Sequence, residues 1–228
     1  MSISRLEEVI NHTFQNKSLI KEALTHRSYL NENSSWGLPH NERLEFLGDA
    51  VLELIVTEEL FNRYPEEAEG KLTALRAALV NYQMMAQIAR EVALEKFILL
   101  SRGEAKDIGR AREVILANAM EALIGALYLD GGYAISKVFI NQFVMIHLEE
   151  VVRQGLDKDA KSFLQERSQG KLKITPIYKV LGERGPEHEK IFRVGVYFGD
   201  KLVAEGEGLS KQEAELEAAK IALENLSS

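Results

Sequence analysis

Apolar residues recur at helical spacing along most of this chain. From Leu6 to about Leu148, Leu19-Ile20 is followed one turn later by Ala23-Leu24. Val51, Leu54, Ile55 and Leu60 continue the pattern, then Leu72, Leu75 and Leu79, then Met84 through Ile88. Residues three, four and seven apart share a helix face, so this period predicts a helical bundle. Breaks fall at residues 31–39, 64–70 and 101–112, each polar and each holding Gly or Pro. Trp36, the single tryptophan, lies in the first break, where packing and ligand contact are equally open readings.

The period is lost at residues 152–159, which gain charge and glycine and read as a linker. Beyond it the texture changes. A helix over 160–169 is followed by strand-like runs at 177–180, 192–198 and 202–206, with Gly199-Asp200-Lys201 as a hairpin turn signal. Ser210 then caps a last helix, and Glu213 three residues on completes a capping box. The expected organisation is an all-α domain over 1–151, the linker, and a small α+β domain of order α-β-β-β-α over 160–228.

Two helices stand out because acids interrupt them. In His40-Asn41-Glu42-Arg43-Leu44-Glu45-Phe46-Leu47-Gly48-Asp49-Ala50-Val51-Leu52, Glu42, Glu45 and Asp49 fall at i, i+3 and i+7 and form one acidic stripe. The other residues are apolar nearly all round, which predicts a buried helix. Unpaired carboxylates are costly to bury, and like charges on one face repel. Most acidic stripes are solvated faces, but the residues between these acids are too apolar for that. A second, nearly all-apolar helix over 114–130 carries Asn118 and Glu121 one turn apart. Two such helices can build an oxygen-ligand metal site in a bundle core.

Composition narrows the chemistry. The 228 residues contain no cysteine, which excludes disulfides, a thiolate metal site and a cysteine nucleophile. No Ser-His-Asp arrangement is visible either. Carboxylates without a His or Cys cluster suit Mg²⁺, or Mn²⁺ as a substitute, rather than zinc. The N-terminus lacks an apolar signal core, and no segment approaches the roughly 20 apolar residues of a membrane span. The expectation is a cytoplasmic protein with no membrane contact. The net charge of −7 runs against nucleic-acid binding. It is uneven: residues 157–228 hold 12 Lys/Arg against 13 Asp/Glu, leaving net −6 before them. Any RNA contact must come from local clusters.

The segment NERLEFLGDAVL resembles the signature of the ribonuclease III family, and ILANAMEALIGALYLD resembles its second catalytic helix. Thr25-His26-Arg27-Ser28 and the run Gly70 to Val80 are similar to further family blocks, in the right order. The resemblance covers essentially the whole chain, because the α-β-β-β-α region is similar to a double-stranded RNA-binding domain.

This resemblance implies an endoribonuclease that cuts double-stranded RNA with Mg²⁺, leaving 5′-phosphate and 3′-hydroxyl ends with two-nucleotide 3′ overhangs. It further implies a homodimer and a part in ribosomal-precursor and other RNA processing. It assigns Asp49 and Glu121 as catalytic, and Glu45, Asp49, Asn118 and Glu121 as metal ligands. The family usually has Asp where this chain has Asn118, which keeps a ligating oxygen but loses a charge. Glu42 and Glu69 fall at auxiliary acidic positions, although Glu66-Glu67-Ala68-Glu69 also reads as a solvated loop. Phe46 matches a position that inserts into the partner subunit. For RNA, the resemblance points to Gln165 and Glu166 on the first helix of the α+β domain, to Pro186 and His188 in a loop, and to Ser210 and Lys211 at the last helix. An ordinary surface histidine is the lesser alternative for His188. The competing class is a non-catalytic dsRNA-binding or ribosome-associated protein on the same fold.

Overall fold

A computed structural model describes residues 3–106, 108–154, 160–185 and 190–226. The helical period of the first part becomes α1 (Ile3–Val9), α2 (Lys17–Ala23), α3 (Arg27–Glu32), α4 (Glu42–Arg63), α5 (Glu69–Val80), α6 (Tyr82–Glu91), α7 (Arg110–Phe143) and α8 (Leu148–Gln154). Helix α8 runs two residues beyond Val152, where the apolar period breaks. The chain divides into two units, Met1–Asp157 and Lys158–Ser228, each with its own core.

In the first unit α7 is the central element. Its residues Leu116, Ala117, Ala119, Met120, Ala122, Leu123, Ile124, Ala126 and Leu127 are all buried. They pack with Leu52, Ile55, Val56 and Leu60 of α4, and with Met85 and Ile88 of α6. Removing each large side chain of this kind from water contributes about 1.5–3 kcal/mol. The backbone bends at Gly132, whose φ of +71° is the left-handed conformation that favours glycine. Beyond the bend, Lys137 pairs with Glu58 and Glu59 of α4 at 2.8 and 3.1 Å, and the Tyr133 hydroxyl donates to Glu58. Before the bend, Asp130 accepts hydrogen bonds from the backbone N–H groups of Gln15 and Asn16 and meets His12 Nε2 at 2.9 Å. The α1–α2 loop is thereby fastened to α7. Trp36 packs edge-on against Tyr29, the structural one of its two readings.

Two expectations are corrected. Helix α4 is not buried all round: Phe46, Leu54 and Phe61 are 80%, 59% and 68% exposed. The bundle covers only the face that carries Leu44, Gly48, Val51, Leu52 and Ile55. The second correction concerns membrane-like segments. Among the described residues, the stretch Arg110–Arg153 is long and apolar enough to cross a membrane, with a mean hydropathy of 1.4 in its most apolar part. Of that part, 61% is buried inside the bundle, so most of it serves the core.

The second unit contains α9 (Ala160–Leu172), β1 (Pro176–Arg184), β2 (Ile191–Phe198), β3 (Lys201–Gly208) and α10 (Lys211–Asn225). The three strands are antiparallel in the order β1-β2-β3. Tyr178 lies opposite Val196, and Val196 opposite Ala204, which sets the buried face. Against it pack Leu164 of α9 and Ala218, Ala219 and Ala222 of α10. Each strand is longer than its apolar run. Strand β1 continues through a register shift at Leu181, where alternation alone would end it. Gly199 makes the expected turn at φ +62°. The Ser210 side chain accepts from the Glu213 backbone N–H, while the Glu213 carboxylate accepts from the N–H of Leu209 rather than Ser210. The capping box closes one residue wider than its usual form.

Candidate active site

The acids come together because two helices touch along glycine. A Cβ at Gly48 of α4 would sit 1.7 Å from the carbonyl oxygen of Glu121 on α7, and one at Gly125 would sit 2.2 Å from that of Leu44. Helix backbones approach this closely only where neither carries a side chain. Glu45 and Asp49 flank Gly48 on one side, and Asn118 and Glu121 lie on the facing turns of α7. Sequence reasoning passed over both glycines. Isolated glycines inside otherwise apolar helices were the available signal.

The electrostatics follow from the crowding. Burial, reinforced by the charges of Asp49 and then Glu45, pushes the Glu121 carboxyl up to about 8. Glu45 is also raised, by burial first and by Glu42 and Asp49, against a hydrogen bond from Asn118 that pulls it down. Among the described residues, no cation bears on either acid. Glu42 stands at the rim, more exposed, with Arg27 at 3.5 Å and His40 at 3.8 Å. The cluster is thus short of positive charge at its centre and partly compensated at its edge. Among the described residues no three acidic or imidazole groups form a ready metal cage. The acids are electrostatic neighbours rather than a closed ligand shell. An all-oxygen donor set with uncompensated negative charge still suits a hard divalent cation.

The raised Glu121 has a measurable consequence for the metal-free protein. A carboxyl near 8 in the fold and near 4.5 when unfolded favours the folded state below about pH 4.5. That contribution is lost as pH rises through about 8. In EDTA, Glu121→Gln is expected to melt close to the parent at pH 5 and well above it at pH 8.5. The gap should be on the order of a few kcal/mol. Paired thermal melts at the two pH values check it.

Glu69 is placed elsewhere. It opens α5, accepts a 2.9 Å hydrogen bond from the Thr73 hydroxyl, and lines a cavity of about 450 Å³ with Thr57, Phe61 and Arg76. It is not among the influences on Glu45 or Glu121. Phe46 points outward beside a separate cavity of about 600 Å³ that Leu19, Leu47 and Leu129 also line.

In the second unit, Gln165 is exposed on α9, as are Ser210 and Lys211 where α10 begins. Glu166 lies on α9. Pro186 and His188 fall outside the described residues. The Ser210 oxygen already accepts from the Glu213 N–H, which leaves its hydroxyl proton and one lone pair for a ligand. Several basic residues are tied up internally: Arg184 with Glu207 at 2.7 Å, Lys190 with Glu183 at 3.2 Å and Lys161 with Glu215 at 2.6 Å. Lys220, on the later turns of α10, meets Glu217 at 3.5 Å.

Comparison with known proteins covers both units. Residues 16–148 match the family described as Ribonuclease-III-like, and residues 160–226 match the Double-stranded RNA binding motif. Ribonuclease 3 of Oleidesulfovibrio alaskensis is 46% identical over 222 residues, spanning 97% of this chain and 96% of that protein. Ribonuclease 3 of Carboxydothermus hydrogenoformans is 46% identical over 221 residues, spanning 97% and 94%. A solved nuclease domain of ribonuclease III from Campylobacter jejuni, described for flexibility in a region involved in dimer formation, superposes with a TM-score of 0.58 at 41% identity. That match covers 64% of this chain and 97% of that one.

Proposed function

The chain belongs to the ribonuclease III family and is a double-stranded RNA endoribonuclease, and on that premise we propose that Glu45, Asp49, Asn118 and Glu121 hold Mg²⁺, or Mn²⁺ in its place, where α4 crosses α7. The observation that carries this reading is the close contact of α4 and α7 at Gly48 and Gly125, which crowds Glu121 against the carboxylates of Asp49 and Glu45 and raises it. A carboxylate in that setting binds a hard cation in exchange for its proton. When bound, the ion supplies an activated water and offsets charge on the scissile phosphate and the leaving 3′-oxygen. The protein's own part is to hold the oxygens. The Asn118 hydrogen bond keeps Glu45 oriented and less raised than burial alone would leave it. Glu42, at the rim beside Arg27, handles substrate near the site, and Glu69 acts from a separate surface. Attack of water on phosphorus with the 3′-oxygen leaving, which takes up a proton, gives 5′-phosphate and 3′-hydroxyl ends. Cytoplasmic processing of ribosomal-precursor and other duplex RNAs is the role we assign.

The test is a metal titration of cleavage on one perfect duplex. Asn118→Asp restores the missing charge, so it should lower the metal concentration for half-maximal rate about tenfold for Mg²⁺ and less for Mn²⁺, which binds mixed-ligand sites more tightly at the outset. An unchanged requirement would remove Asn118 from the ligand set. A parent protein inactive at any Mg²⁺ or Mn²⁺ concentration would sink the metal reading.

A homodimer is the second part of the proposal. Phe46, Ala50, Leu54 and Phe61 share one exposed face of α4, too apolar to be left to water at this length. A two-fold related copy covers such a self-complementary stripe and sets two sites against the two strands. For RNA, Gln165 and Glu166 would face one minor groove, and Pro186 with His188 the next. Ser210 and Lys211 would meet the phosphates between, as a double-stranded RNA-binding domain reads A-form shape. Phe46→Asp should convert the dimer to monomer in sedimentation at micromolar concentration and reduce double-strand cleavage at least tenfold. A dimer of undiminished stability would place the interface elsewhere.

A further inference from the structure

The contact between Gly48 and Gly125 lies about one turn from three of the four proposed ligands, Glu45, Asp49 and Glu121, and two turns from Asn118. Packed helices ordinarily stand 8–10 Å apart, a distance set by the side chains between them. Here there are none at the point of contact: each missing Cβ would fall on a backbone carbonyl of the other helix, at 1.7 and 2.2 Å. Backbone cannot rotate out of the way as a side-chain tip can. Glu45 and Asp49 occupy one flank of the contact line on α4, so the interval from them to Glu121 is fixed by how closely the two backbones lie.

We infer that Gly125 is a positioning residue, one that sets the reach between the α4 carboxylates and Glu121 and thereby the site's affinity for a divalent ion. The inference rests on the ligand set proposed above. It adds that the glycine acts through those carboxylates and touches neither ion nor substrate. A methyl group at position 125, 2.2 Å from the Leu44 carbonyl oxygen, must push the backbones apart by more than about 1 Å to regain ordinary van der Waals distance. Ligand constellations tolerate about 0.5 Å of misplacement. Fold and ligand affinity are therefore separable consequences of the same residue.

The readout is Mn²⁺ binding by the full-length protein without RNA, followed by the rise in melting temperature on adding MnCl₂ and by titration calorimetry. Gly125→Ala should bind Mn²⁺ at least tenfold more weakly, with a correspondingly smaller thermal gain. Its affinity for duplex RNA in EDTA should match the parent's. Leu75→Ala, a core deletion on α5, serves as the structural control: it lowers the metal-free melting temperature yet keeps the full Mn²⁺ gain. In Gly125→Ala, the added change Asp49→Glu lengthens one ligand by a methylene, and part of the lost Mn²⁺ affinity should return.

If Gly125→Ala does not fold by circular dichroism, Glu121→Asp reads the same interval with no added bulk. It withdraws a ligand across a contact that cannot close further, so Mn²⁺ affinity should again fall at least tenfold. Parent-like affinity in folded Gly125→Ala, or in Glu121→Asp, overturns the spacing inference alone. An undiminished Mn²⁺ gain in Glu121→Gln overturns the ligand set and the spacing inference together.

Discussion

Glu121→Gln is expected to cut duplex RNA roughly a thousandfold more slowly than the parent, or not at all, while binding the same duplex with nearly unchanged affinity. Charge stabilisation of this kind amounts to several kcal/mol, and each 1.36 kcal/mol is tenfold in rate. The substitution keeps the size of the side chain but exchanges one acceptor oxygen for an NH2 donor. With it goes the charge that burial and Asp49 make costly in the free protein. RNA affinity, by contrast, comes mainly from phosphate and groove contacts away from this cluster. Gel-shift affinity in Ca²⁺ and cleavage rate in Mg²⁺, measured on one preparation, decide the matter. A variant that cleaves at near the parent rate would show that Glu121 takes no part. One that has lost binding as well would show that the cluster holds RNA rather than reacting with it.

Truncation after Gln154 is expected to leave a folded nuclease unit whose cleavage at physiological salt falls at least tenfold and recovers substantially at low salt. The two cores share no residues, and the chain divides near Asp157, so neither unit needs the other to bury its apolar side chains. The remaining piece is net acidic and must approach a polyanion. Lowering the salt strengthens whatever local phosphate contacts it retains. Because Arg184, Lys190 and Lys161 are already paired with acids of the removed unit, the full-length enzyme should itself show a shallow salt slope. Equal rates for the two lengths at 150 mM salt would mean that the second unit contributes little to productive binding.

The helical period and the acidic stripe were legible because both repeat along one strand of sequence. So were the Gly199 turn and the Ser210 cap, which depend on neighbours a few positions away. Which face of α4 the bundle covers was not legible. Leu54 and Phe61 are as apolar as Leu52 and Ile55, and only the packing of α7 separates the exposed pair from the buried one. The Gly48–Gly125 contact was hidden for a related reason. A glycine in an apolar helix announces that something approaches closely, but not what. The hydrogen bond from Asn118 to Glu45 links residues 73 positions apart and leaves no trace in local pattern. The RNA contacts expected of Pro186 and His188 rest on family resemblance alone, and both lie outside the described residues.

The outward row of Phe46, Leu54 and Phe61 also bears on how much of the enzyme a cell must make. A fold that hides part of its apolar surface only against a second copy has no single stability of its own. For the proposed homodimer the melting point would climb with concentration, and dilution below the dissociation constant would expose the row to chaperones and proteases before any catalytic residue is disturbed. Abundance would then set the dose of activity more steeply than linearly, since halving the number of chains more than halves the number of pairs.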